Sequence, residues 1–109
     1  MSPRPGEVWL ADLGLAAKTR PVVIVSRYDP EAPRALFLYV PLTTQNRASS
    51  YEVMLPRMPF LDRDSVANVQ GLGSAPIVRL ERRLGTLPPA VLSEIKKSLA
   101  MALDLGISS

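Results

Sequence analysis

A small, twisted antiparallel β domain closed by one C-terminal helix is the fold this sequence predicts. Three observations carry it. Short runs rich in β-branched and aromatic residues, Glu7-Val8-Trp9-Leu10-Ala11-Asp12, Pro21-Val22-Val23-Ile24-Val25-Ser26 and Ala35-Leu36-Phe37-Leu38-Tyr39-Val40, recur between Pro- and Gly-bearing turns. Val22 to Val25 is apolar without a break, the pattern of a strand buried on both faces. Only the stretch opened by Pro88-Pro89 steps its apolar residues by three and four, at Leu92, Ile95, Leu99 and Ala102 or Leu103. The class is therefore mainly β (α+β). Residues 1–109 read as one domain, long enough to bury roughly 60–70% of the surface exposed by the unfolded chain.

Pro5-Gly6 is a turn signal ahead of the first strand, and Gly14 ends that strand. Leu13 to Thr19 is a long hairpin tip leading to the second strand. Arg27 to Arg34 carries Asp29-Pro30 and Ala32-Pro33 and is an exposed loop. Pro41 is expected to close the third strand or to set it at an edge. Tyr51-Glu52-Val53-Met54-Leu55 alternates as a short strand, Pro56 to Arg63 is irregular, and Asp64-Ser65-Val66-Ala67-Asn68-Val69-Gln70 reads as another strand. Gly71 to Pro76 then breaks the pattern, Ile77 to Leu80 reads as a last strand, and Leu80 to Gly85 as a single helical turn stopped by Gly85. In the closing helix Pro89 suits the first position, Lys96 and Lys97 fall off the apolar stripe, and Gly106 is the stop.

Composition narrows the chemistry. The chain has no cysteine and no histidine, so a disulfide framework, a thiol nucleophile and an imidazole base are excluded. Net charge is only +3, but ten arginines stand against three lysines, which favours an anionic partner met by planar, bidentate donors. The N-terminus lacks the pattern of a signal peptide and no apolar run has the length of a membrane span, so a cytoplasmic protein without a membrane partner is expected. Asp62 and Asp64 offer too few oxygen ligands for a metal site, and no cofactor is expected.

What remains is a set of phosphate donors. Arg20 precedes Pro21, which restricts it to extended geometry and fixes the direction in which its guanidinium leaves the backbone. Leu42-Thr43-Thr44-Gln45-Asn46-Arg47 begins where the third strand ends, so Thr43 can face Arg20 if strands two and three are neighbours. Lys18, Thr44, Gln45, Asn46 and Arg47 flank the pair as candidate substrate-binding residues. An arginine binds two oxygens of a phosphodiester and strengthens its hold as their charge rises in the transition state. Threonine donates to the same oxygens, although ordinary strand-end hydrogen bonding also accounts for Thr43-Thr44. Trp9, in an apolar strand, reads as core or interface and not as a platform for a base.

In order along the chain, Gly6-Glu7-Val8-Trp9-Leu10-Ala11-Asp12-Leu13-Gly14, Thr19-Arg20-Pro21-Val22-Val23-Ile24-Val25-Ser26, Val40-Pro41-Leu42-Thr43-Thr44-Gln45, Asp64 to Gln70 and Arg83-Leu84-Gly85-Thr86-Leu87 resemble the MazF/PemK family of type II toxin–antitoxin toxins. The resemblance implies an SH3-like, CcdB-like barrel, a homodimer, and metal-independent, sequence-specific cleavage of single-stranded RNA. It assigns Arg20 and Thr43 as the catalytic pair and brings Thr19 and Gln70 into the substrate-binding set. It further implies attack of a ribose 2′-hydroxyl on phosphorus and an antitoxin partner whose disordered acidic tail covers the site. Many members carry a glutamate ahead of Arg-Pro where this chain reads Leu15-Ala16-Ala17-Lys18, and an Arg-Thr pair after the later glutamine where it reads Gly71-Leu72-Gly73. The proton acceptor is thus left open among Arg20, a bound water and the substrate, and the loop Leu13 to Thr19 is expected to act as a lid. A non-catalytic gyrase poison or RNA-binding module on the same scaffold is the alternative. Tyr39, Leu55 and Phe60 are the candidates for apolar surface buried on dimerisation.

Overall fold

The computed structural model describes residues 2–14 and 19–106. It contains seven strands, β1 (Glu7–Ala11), β2 (Arg20–Ile24), β3 (Leu36–Thr43), β4 (Glu52–Met54), β5 (Val66–Asn68), β6 (Gly73–Pro76) and β7 (Leu80–Thr86), followed by α1 (Pro89–Ala102). All pairings are antiparallel, in the order β4-β5-β3-β2-β1-β7, with β6 added to β3 off that path. This is a curled, open sheet with one helix, as the twisted barrel-like class requires.

The central strand explains its own composition. Val22, Val23 and Ile24 are all fully buried, because both faces of β2 are covered. Val23 packs with Val8, Val40, Ile95 and Leu99 in a core under α1. Val22 and Ile24 belong to a second core with Phe37, Ala75 and Leu80, contributed by β3, β6 and the start of β7. The period-2 alternation of a strand thus divides one apolar run between two cores.

Four expectations are corrected. Pro41 does not close β3; the strand runs on to Thr43. On one edge β3 pairs with β6 through Leu36–Tyr39 and with β5 at Leu42 and Thr43. Pro41 therefore sits at the handover between partners, where a missing N–H does least harm. Gly71 to Pro76 is not simply a break, since Gly73–Pro76 is β6. Ile77–Arg79 is a 3-10 turn and not a strand. Leu80 to Gly85 is not helical but most of β7, whose pairing with β1 overrides the helix preference of Leu-Glu-Arg-Arg. In addition Leu55 is core, while Tyr39 and Phe60 are half-buried against the cores, so the exposed apolar surface lies elsewhere, at Leu36, Leu38, Met54, Met101, Leu103 and Leu105 among others.

The helix begins at Pro89, as expected, and its stripe of Ile95 and Leu99 is buried. It stops at Ala102, ahead of Gly106, with Asp104 in the left-handed region at φ 55. Ser98 is buried and donates its hydroxyl to the carbonyl of Ser50 at 2.8 Å, which ties α1 to the loop before β4. No helix among the described residues is long and apolar enough to cross a membrane.

Glu7 is a buried carboxylate held by three partners. It accepts from Arg4 N–H at 2.9 Å and Trp9 Nε1 at 3.1 Å, and it pairs with Arg83 of β7 at 3.2 Å. Burial works to raise its pKa, but the bonds from Arg4, Trp9 and Arg83, with the charge of Arg83, hold it below the ordinary carboxylate value. Trp9 is half-buried against the second core, in keeping with a packing role.

Candidate functional site

Arg20 opens β2 and is exposed, with exposed Thr19 before it. On one side it is registered with Ala11 of β1. On the other, β2 and β3 pair as Val22↔Pro41, Val23↔Val40 and Ile24↔Tyr39. Continued by two residues, that register sets Arg20 opposite Thr43, the last residue of β3. Thr43 is in turn registered with Val66 of β5. Opposed residues share a face, so Thr43, Arg20 and Ala11 form a row at one end of the sheet, on the side of Val22 and Ile24. The fully buried methyl of Ala11 leaves Arg20 and Thr43 as the functional groups of that row.

Thr43 is half-buried, and its Oγ1 accepts the N–H of Gln45 at 3.1 Å. The strand-end hydrogen bonding anticipated for it is therefore present. That bond uses a lone pair and leaves the hydroxyl proton to donate. Arg20 forms no ion pair with a carboxylate among the described residues. A planar cation and a hydroxyl donor side by side, with no carboxylate between them, suit an anionic oxygen group.

Thr44, Gln45, Asn46 and Arg47 follow Thr43 in an exposed loop. The loop is built by short-range bonds: Asn46 Oδ1 accepts from Ala48 N–H at 2.8 Å, around a left-handed Ala48 at φ 54. Glu52 gathers the rest. Its Oε1 accepts from the N–H groups of Arg47 at 3.0 Å and Ser49 at 3.1 Å and from the Ser49 hydroxyl at 3.2 Å. The Ser49 N–H, more than slight burial opposes, and then the Arg47 and Ser49 bonds lower its pKa. Sequence reasoning did not single out Glu52; the available signal was its position as the only carboxylate between Glu31 and Asp62.

Gln70 is exposed and lies in the 3-10 turn Val69–Gly71, its N–H donated to Asn68 Oδ1 at 3.1 Å. Since β5 runs away from Thr43 after Val66, Gln70 lies beyond the end of β5 remote from Thr43, in a turn whose Gly71 packs against Pro41 of β3. Lys18, and residues 15–18 of the lid expected over Leu13 to Thr19, lie outside the described residues. The root of that loop is fixed: Asp12 Oδ1 accepts from Gly14 N–H at 2.9 Å, and Arg79 approaches Asp12 Oδ2 at 3.6 Å. Asp64 is paired with Arg57 at 3.2 Å, and no group of three or more acidic side chains is gathered among the described residues.

Residues 4–103 match the family model described as the PemK-like, MazF-like toxin of type II toxin–antitoxin systems. The chain belongs to this family. Among curated relatives of this MazF-like chain, a probable endoribonuclease MazF5 of Mycobacterium tuberculosis is 35% identical over 104 residues, covering 94% of each chain. Endoribonuclease MazF2 of Mycobacterium bovis is 32% identical over 108 residues, 91% of this chain and 95% of its own. A solved mycobacterial endoribonuclease in complex with its cognate antitoxin superimposes with a TM-score of 0.84 at 28% identity, covering 97% of this chain and 99% of the other. A second mycobacterial endoribonuclease structure also reaches 0.84, at 27% identity. The fold of this MazF-like chain is thus shared over nearly its whole length.

Proposed function

We propose that this MazF-like chain is a toxin that acts as a sequence-specific endoribonuclease on single-stranded RNA, with Arg20 and Thr43 as its catalytic pair. The observation that carries the reading is the register that opposes Arg20 to Thr43 at an open strand end. Endoribonuclease relatives covering the same length support it. The 2′-hydroxyl of one nucleotide attacks its own 3′-phosphorus, the bond from phosphorus to the 5′-oxygen of the next nucleotide breaks, and the 5′-oxygen takes up a proton. A 2′,3′-cyclic phosphate and a 5′-hydroxyl result. The Arg20 guanidinium holds two non-bridging oxygens and neutralises the charge that grows on them, while Thr43 donates to one of them. The proton of the attacking hydroxyl leaves to water. Because both donors act without a carboxylate, the reaction runs without a metal, and the 2′-hydroxyl requirement confines it to RNA.

The same reading makes Thr19, Thr44, Gln45, Asn46 and Arg47, with Lys18, the contacts to flanking phosphates and bases. Gln70, beyond the end of β5 remote from Thr43, serves through a second copy in a homodimer. The partner is an antitoxin with an acidic disordered tail, as the excess of arginine on this chain favours, and the single domain works in the cytoplasm. The deciding experiment incubates the purified chain with a long, varied single-stranded RNA in EDTA and sequences the ends. Cyclic-phosphate ends at a recurring motif, lost in Arg20→Ala at unchanged circular dichroism, are expected. Equal cleavage by that variant removes Arg20 from the site, and intact RNA with wild type removes the activity.

A further inference from the structure

Across the rim from the Arg20–Thr43 row, on the other face of the sheet, lies an open groove of about 520 Å³. Its floor follows the strand register. Pro21 of β2 is opposed to Leu10 of β1, and Leu10 to Arg82 of β7, so all three share the face opposite that of Arg20. Thr44 and Ser65 stand at one end and the β4–β5 loop supplies the far wall, with Phe60, Asp62 and Arg63. Phe60 is fixed there by Gly85 of β7: its ring occupies the space that a Cβ on Gly85 would need. The groove is joined to the catalytic row by single residue steps, from Arg20 to Pro21 and from Thr43 to Thr44.

We infer that this groove is a base-binding subsite that receives a guanine of the substrate strand next to the scissile phosphate. The inference rests on the ribonuclease reading above and gives that activity a determinant of sequence. Apolar surface on Leu10, Pro21 and Phe60 suits the flat faces of a base. Neither Arg63 nor Arg82 is engaged in an ion pair with a carboxylate among the described residues, so both guanidinia are available to a ligand. Guanine presents O6 and N7 acceptors to an arginine and N1–H and N2–H donors to a carboxylate. Arg82 or Arg63 with Asp62 matches both edges, and the Thr44 and Ser65 hydroxyls complete the polar rim. The other bases lack one half of that pattern. A phosphate alone is a poorer fit, because Asp62 repels it and the apolar floor gains nothing from it.

Two measurements on the full chain test this separately from the cleavage reaction. The first maps cut sites in a randomised single-stranded RNA pool for wild type, Arg82→Gln, Ser65→Ala and Arg20→Ala. The second selects bound sequences from a fully 2′-O-methylated pool that is not cleaved, with thermal melting as the control for folding. A guanine preference at one position beside the cut is expected in both pools for wild type, and it should weaken by about tenfold in Arg82→Gln with the other positions unchanged. Ser65→Ala should weaken it in the same position. Cleavage lost in Arg20→Ala but with guanine preference intact in Arg82→Gln and Ser65→Ala overturns the subsite and leaves the ribonuclease reading standing. A loss in Arg82→Gln that is uniform over all sequences makes Arg82 a phosphate contact and also overturns the subsite. If wild type neither cuts RNA nor selects guanine from the uncleavable pool, both readings fall; guanine selection without cutting overturns only the catalytic one.

Discussion

Arg20 and lysine carry the same charge, and the difference between them isolates what the site asks of residue 20. A lysine offers a point charge on a flexible stem, whereas the guanidinium presents two parallel N–H donors to two phosphate oxygens. Arg20→Lys is expected to lower kcat/KM by roughly a hundredfold with little change in melting temperature, on the scale of removing one oxyanion donor. Single-turnover cleavage of a mapped substrate measures it. The two residues proposed as the catalytic pair stand out in the sequence through local signals, Pro21 constraining Arg20 and the polar run at the end of the third strand holding Thr43. Glu7 does not, because its value depends on Arg83, far along the chain, and on a backbone N–H and an indole. Its folded pKa is depressed, so its contribution is fully present above the ordinary value of 4.5 and is lost as pH falls through the folded value. Glu7→Gln is expected to cost about 1–3 kcal/mol near neutral pH and to flatten the acid limb of the stability profile. Urea unfolding at a series of pH values between neutral and strongly acidic reads both.

At the scale of elements, the strands that sequence reasoning recovered are those whose composition suits a strand by itself. β1, β2 and β3 are rich in Val, Ile, Tyr, Phe and Trp, and β2 announces its burial on both faces. β6 and β7 were missed for a physical reason. Gly73-Ser74-Ala75-Pro76 has little β preference, and it is a strand because β3 supplies an unpaired edge there. Leu80-Glu81-Arg82-Arg83 favours a helix in isolation and is held extended by β1. Gly85, read as a helix stop, in fact makes room for Phe60. Gly85→Val would drive two methyl groups into that ring, and overpacking of this kind typically costs about 1–3 kcal/mol. Chemical denaturation should show the loss, and Phe60→Ala in the same chain should recover part of it, since the pair shares one space. The loop after β3 was legible only as a polar run. Its shape depends on Glu52, so Glu52→Ala is expected to raise KM severalfold, with kcat retained if Arg20 and Thr43 are undisturbed; steady-state kinetics on a mapped RNA decides this.

Viewed as a whole, the molecule must distinguish an RNA that it cuts from any other polyanion, and its net charge of +3 is too small to hold nucleic acid by field alone. Affinity then comes from a few discrete contacts, and salt separates them by kind. Each phosphate neutralised on a single strand contributes about 0.7 to the slope of log K against log salt. Arg47 is exposed on the loop beyond Thr43 and is bound to the fold through its backbone N–H, which leaves its guanidinium for a phosphate. Arg82 rises from the floor of the groove on the opposite face. Binding of a 2′-O-methylated strand, followed by fluorescence anisotropy from low to high salt, should therefore give a slope lower by about 0.7 in Arg47→Gln, whatever the sequence of the strand. In Arg82→Gln the slope should stay near that of wild type while the affinity for the preferred strand falls. An unchanged slope in Arg47→Gln would mean that this arginine meets no phosphate, and the path of the strand would then leave the rim of the sheet before reaching the loop after β3.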